Sequence, residues 1–133
     1  MEIAGRTAVI VGGASGMARA AAESLVHRGA KVAILDLPTS DGAAAAEAMG
    51  KGTTFHPCDV MDFEGTEAAL QQAVDAHGSL HIAINTAGGG IAKRTLTKEG
   101  PHPLADFQRV IDLNLIGTFN LNRLQADHMS RTE

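Results

Sequence analysis

Tyrosine and tryptophan are both missing from this chain, and Cys58 is its single cysteine. A lone thiol excludes an internal disulfide framework, so a reducing compartment is expected, with the cytoplasm as the default. The lack of tyrosine removes the phenol from the available proton-transfer groups. Basic residues do not gather anywhere. With a formal net charge of -4 and the two signs interspersed, a nucleic-acid footprint is not expected. No apolar run approaches the length of a membrane span. The opening residues, MEIAGRTAVI, enter a strand-like run without a basic region or an apolar stretch before it, so no leader is expected. Internal repeats, charge blocks and low-complexity stretches are absent as well.

What is present reads as one ordinary domain over residues 1–133, with 44% apolar and 20% charged residues. Four apolar runs of strand length, Thr7 to Val11, Lys31 to Asp36, Thr53 to Pro57 and Ile82 to Thr86, alternate with segments of helical period. This alternation predicts a doubly wound α/β fold, a parallel sheet with helices on both faces. The first helix is expected from about Gly16 to Arg28 with Ala18, Ala21, Ala22, Leu25 and Val26 on one side, stopped by Gly29. Ser40 or Asp41 should cap the second helix. Asp62 should cap the third, whose apolar positions are Ala68, Leu70 and Val74 and which ends at Gly78. Residues 87–103 form one long Gly-rich connection. Leu104 to about Arg131 then reads as a single helix, apolar on every face in its middle, which must be covered on more than one side.

The stretch VIVGGASGMA, residues 9–18, places Gly12 and Gly16 with small Ala14 and Ala18 where the first strand turns into the first helix. An anion can approach the backbone there, close to free N–H groups and the positive end of the helix. Glycines alone fit a plain tight turn equally well, and no lysine follows them, which excludes a P-loop. Asp36 ends the second strand about 20 residues further on, where a carboxylate accepts hydrogen bonds from ribose hydroxyls. The alternative is that Asp36 only caps the following turn. Neither Leu37 nor the glycine segment supplies a cation for a 2′-phosphate, so NAD rather than NADP is the expected cofactor. CDV at 58–60 and NTAGGG at 85–90 follow the third and fourth strands, which brings Asp59, Asn85 and Ala87 to the same ligand-binding edge. Singly, Asp59 also reads as a helix N-cap and Asn85 as a turn residue.

In this order and spacing the motifs resemble those of the short-chain dehydrogenase/reductase family. VGGASGMA stands for the family's TGxxxGxG, DV at 59–60 for its adenine-binding pair, and NTAG at 85–88 for its NNAG. DLNLIGTFN at 112–120 is similar to the segment that bears the family's helix asparagine. The departures are Val11 for Thr, Ala18 for the third Gly and Thr86 for the second Asn. Within the family, ILDLP, NTAGGGIA and the insertion at 94–104 are most similar to type II 3-hydroxyacyl-CoA dehydrogenases. The resemblance implies that Gly12, Ser15, Gly16 and Met17 line the pyrophosphate, Asp36 binds the adenosine ribose, and Asp59 and Val60 bind the adenine. It also implies that Asn85, Thr86, Ala87 and Gly88 lie between ribose and nicotinamide, and that Asn114 supports a proton relay. A Rossmann-type sheet in the strand order 3-2-1-4, a small-molecule substrate and a homotetramer joined through the long helix are implied too.

Hydride transfer from an alcohol needs a group to take the hydroxyl proton and donors for the alkoxide. The family uses a Ser and a Tyr-x-x-x-Lys further along, and of that catalytic set these 133 residues contain only Asn114. The chain is thus expected to be the cofactor-binding half of the fold, with strand four left as an open apolar edge. The competing expectation is a non-catalytic NAD-binding or assembly module; a flavodoxin-like phosphate binder would leave Asp36 without a task. His56 as a general base and Cys58 as a nucleophile lack partners visible in the sequence. No metal site is expected, because Gly78 and Ser79 break the helix that would pair His77 with His81.

Overall fold

The two central strands form because their residues are apolar over runs too short for a helix and are buried on both faces. In the computed structural model, which describes residues 2–50 and 52–132, Thr7–Val11 (β1) is buried at all five positions. Its two flanking strands are Lys31–Asp36 (β2) and Ile82–Asn85 (β4), and Thr54–Pro57 (β3) pairs outside β2. All pairings in this sheet are parallel, as the alternation predicts, and the order is β3-β2-β1-β4, as the family resemblance implies. β3 and β4 are each one residue shorter than expected, β3 at its start and β4 at its end, where the ladder stops before Thr86.

Gly16–His27 (α1) and Gly42–Met49 (α2) cover one face of the sheet, and Phe63–His77 (α3) covers the other. α1 buries Ala18, Ala22, Leu25 and Val26 against Ile10, Val32 and Ile34. In α3 the buried row is Thr66, Ala69, Leu70 and Ala73, and Ala68 faces solvent instead of the core. Of the expected apolar positions, Leu70 is fully buried and Val74 packs against the core, so only Ala68 departs, and Thr66 is buried with its hydroxyl donating to the Asp62 carbonyl at 2.8 Å. The Asp62 carboxylate caps α3 by accepting from the Gly65 N–H at 2.9 Å. Asp41 occupies the cap position of α2 without a side-chain bond, and it is the Ser40 hydroxyl that accepts from the Gly42 N–H at 3.2 Å.

The long connection contains a two-stranded antiparallel hairpin, Leu96–Thr97 (β5) with Gly100–Pro101 (β6), which no periodicity announces. The final helical run is divided. Leu104–Ile111 (α4) passes through a π-helical turn at Asp112–Ile116 into Gly117–Ser130 (α5). The expected all-round burial is met on one flank only: Leu121 and Leu124 join the core, whereas Phe107, Leu115, Ile116 and Phe119 remain exposed. β4 is half-buried throughout and has no neighbour on its outer side among the described residues.

A histidine pair ties the rim of the sheet to α3. The Thr54 hydroxyl lies 2.9 Å from His77 Nε2 and 3.0 Å from His56 Nε2. Burial pushes both imidazoles below the ordinary histidine value of 6.5, and for His77 the nearby charges of His56 and Lys31 push the same way. A base whose folded value is lowered binds fewer protons than in the unfolded chain. Stability is therefore complete above about pH 6.5 and declines as the pH falls through the lowered values. Replacing both with Gln is expected to flatten the pH dependence of the urea midpoint below pH 6.5; an unchanged slope would show that the pair is not its source.

Candidate functional site

Parallel strands deliver their carboxyl ends to one edge, and there the chain leaves an open crevice of about 580 Å³. That is within the range of roughly 300–1,000 Å³ usual for small-molecule sites. Its wall is built from the ends of all four strands: Gly12, Ser15, Gly16 and Met17 after β1, Asp36 and Leu37 at β2, Asp59, Val60 and Met61 after β3, and Thr86, Ala87 and Gly88 after β4. Eleven of the twelve residues expected at the site divide simply: all of the cofactor set except Asn85 line this space, and Asn114 stands beside it.

The turn after β1 is held tightly. Gly12 has φ +83°, and a Cβ there would fall 2.6 Å from Thr86 Oγ1 and 3.2 Å from the Ala87 nitrogen. The Thr86 hydroxyl donates to the Val11 carbonyl at 3.2 Å, and its N–H reaches the same oxygen at 3.0 Å. Thr86, at the place of the family's second Asn, therefore knots β4 to β1. Beyond the turn, α1 begins without a capping side chain and without an acid in its first turn. Its N-terminal N–H groups are not met by a side chain, and Ser15 and Met17 are exposed beside them. Gly16 has open space where a side chain would stand. This is the backbone cradle that an anionic phosphate group requires.

Asp36 closes the same space from β2. One carboxylate oxygen accepts from the Ala14 N–H at 2.9 Å and the other from the Leu37 N–H at 2.8 Å. Both bonds hold the carboxylate in place and leave further lone pairs on each oxygen. Asp59 is not the cap of α3, a position taken by Asp62; its carboxylate accepts from the Met61 N–H at 2.9 Å and shapes the turn after β3. Val60 is buried beneath it.

Asn85 faces the other way. Its amide oxygen accepts from Gln125 Nε2 at 2.8 Å, while its Nδ2 donates to Gln125 Oε1 at 2.7 Å and to Asn122 Oδ1 at 2.9 Å. It thus fastens the end of β4 to α5. Asn114 sits in the π turn, where its Nδ2 donates to the Gly89 carbonyl at 2.6 Å and to the Val110 carbonyl at 2.8 Å. Its Oδ1 accepts from the Gly89 N–H at 3.1 Å. π turns within helices recur where a side chain must be aimed at a site, and this one clasps the loop that leaves β4.

Leu37, Cys58, Met61, Arg109 and Leu113 also line the crevice. Arg109 was not legible from the strand ends because it arrives from α4; a four-residue row back from Leu113 was the available signal. Burial pushes the Cys58 thiol up, and the neighbouring carboxylates of Asp59, Asp62 and Asp36 add to this against the opposing effect of the Thr66 hydroxyl. It stays a neutral thiol at pH 7, which makes it a poor nucleophile. His56 is engaged with Thr54, and His81 Nδ1 accepts from the Thr7 N–H at 3.1 Å, so His77 and His81 serve different partners.

Comparison with known proteins accords with this geometry. A family model described as short chain dehydrogenase matches residues 6–133. The chain belongs to the short-chain dehydrogenase family. It is 47% identical to 3-hydroxyacyl-CoA dehydrogenase type-2 of Bos taurus and 45% identical to the Homo sapiens protein of that name, in each case over 99% of this chain and 51% of the relative. It is also similar to a mitochondrial borneol dehydrogenase of Lavandula x intermedia, at 38% over 89% of this chain and 44% of that one. The chain spans about half the length of the curated relatives it matches. Among the described residues no helix is long and apolar enough to cross a membrane.

Proposed function

We propose that this chain forms the cofactor-binding part of an NAD-dependent oxidoreductase that oxidises a 3-hydroxyacyl-CoA, or a related secondary alcohol, to the 3-keto compound. The observation that carries the reading is the pairing of an uncapped helix start with a fixed carboxylate across one crevice. The first suits a pyrophosphate and the second suits a ribose diol. Gly12, Ser15, Gly16 and Met17 would hold the phosphates, Asp36 the ribose, and Asp59 and Val60 the adenine. Thr86, Ala87 and Gly88 would face the nicotinamide side, and Asn85 would support that loop through α5. Bound NAD would supply the hydride acceptor. Asn114, through its grip on Gly89, would set the loop beneath the reacting carbon. The exposed flank of α4 and α5 would be the surface through which subunits of a homotetramer meet. The substrate proposal takes its chemistry from the names of the type-2 relatives.

The test has two parts. Asp36→Ala is expected to weaken NAD binding by roughly 1 to 3 kcal/mol for the lost charged hydrogen-bond partner, read by titration calorimetry. Affinity equal to the parent would remove Asp36 from the site. The protein in its natural length should reduce NAD in the presence of 3-hydroxybutyryl-CoA, followed at 340 nm (roughly the NADH absorption band). Binding without turnover would favour the non-catalytic NAD module instead.

A further inference from the structure

We propose that Arg109 is the lip of the crevice on its adenine side, where the guanidinium lies over the face of the adenine ring and holds it against Val60 and Leu113. The inference rests on the dinucleotide reading above and assigns a residue that the family motifs leave out.

Three residues of the last helical run stand in a row at four-residue spacing: Gly117, Leu113 and Arg109. The lowest, Gly117, rests on β3's exit, since a Cβ there would meet the Val60 carbonyl oxygen at 3.5 Å and Val60 Cγ2 at 3.7 Å. Leu113 packs on the core cluster that contains Cys58 and Val60. The row therefore climbs the wall formed by Cys58, Val60 and Met61 and brings Arg109 to its rim, where it is exposed and lines the crevice. This wall offers a ring an apolar floor.

Charge agrees with position. Asp36, Asp59 and Arg109 are the charged residues lining the crevice, and Arg109 is its single cation among the described residues. None of the ion pairs among the described residues involves Arg109. Its backbone is nevertheless well anchored. One turn before it, Asp106 is bonded to Lys93 at 2.6 Å, and one turn after it, Asn114 clasps Gly89. A planar, weakly hydrated guanidinium on an anchored backbone is suited to stack on a purine, whereas the ammonium of a lysine is not.

Adenosine, ADP and NADH titrated calorimetrically into the natural-length protein separate the outcomes. Arg109→Met is expected to weaken all three by a similar factor, about two- to tenfold. Arg109→Lys should recover only part of that loss. Arg109 is exposed, so neither change should disturb folding, which the urea midpoint checks. Loss confined to ADP and NADH would make Arg109 a phosphate counter-charge and overturn the stacking role, as would affinities unchanged from the parent. A parent protein that binds none of the three would instead defeat the dinucleotide reading itself.

Discussion

Gly12→Ala is expected to cost this chain about 2 to 5 kcal/mol of stability and to reduce NAD binding more than tenfold. Two effects add. A left-handed backbone at φ +83° costs an L-residue roughly 1 to 2 kcal/mol. The new methyl would then stand 2.6 Å from Thr86 Oγ1 and 3.2 Å from the Ala87 nitrogen, and overpacking of this kind adds roughly 1 to 3 kcal/mol. Thr86 cannot swing aside freely, because its hydroxyl is bonded to the Val11 carbonyl. The strain would part the ends of β1 and β4, which both line the crevice. Gly16→Ala is the control for stability alone: its φ is +58°, but no atom lies within 4 Å of the added carbon, so its urea midpoint should show only the backbone cost of about 1 kcal/mol. Urea denaturation of both variants and NADH titration of Gly12→Ala decide the matter. Equal midpoints would show that the β1–β4 contact yields at no cost.

Asn85→Ala should be destabilising by about 2 to 4 kcal/mol while leaving nucleotide affinity close to the parent's. Gln125, its reciprocal partner, is 2% exposed, so the truncation strands a buried amide donor and acceptor together. Each unmet group costs about 1 to 3 kcal/mol, partly relieved by local adjustment. Replacing both residues with Leu removes the unmet groups as well as the bonds and should regain much of the loss. A thermal or urea series of the two single variants and the double variant measures the coupling. Should Asn85→Ala instead keep its stability and lose NADH affinity, its amide would be acting on the ligand directly.

These two residues mark how far the chain could be read in advance. Gly12 was legible because the demand it meets is local: the turn from a buried strand into a helix needs a backbone that side chains do not obstruct. The same holds for the two central strands, whose runs are five and six residues long, and for Asp36, whose place at a strand end follows from the run before it. Asn85 stood in an equally regular position, yet its side chain turned to α5, some forty residues away in the chain. A strand end has two sides, and which one an amide takes depends on what the later helix presents there.

The α3 face and the final helix teach the same lesson from packing. Leu70 and Val74 were legible from helical period, whereas Thr66 was not, because its hydroxyl can be buried by bonding to its own helix, and Ala68 is left in solvent. The run from Leu104 to Ser130 has one continuous pattern in sequence, but it contains a π turn from which Asn114 grips Gly89, a partner twenty-five residues away.

The sequence by itself determined the alternation of strands and helices, the parallel sheet and the glycine-lined edge, because these follow from local periodicity and from the right-handed connection of parallel strands, while its motifs carried the strand order. Tertiary structure alone decided that Arg109 joins the crevice, that Asn85 leaves it, and that one flank of the last helix stays bare. Those outcomes depend on side chains meeting across long stretches of chain, where no local pattern records the partner.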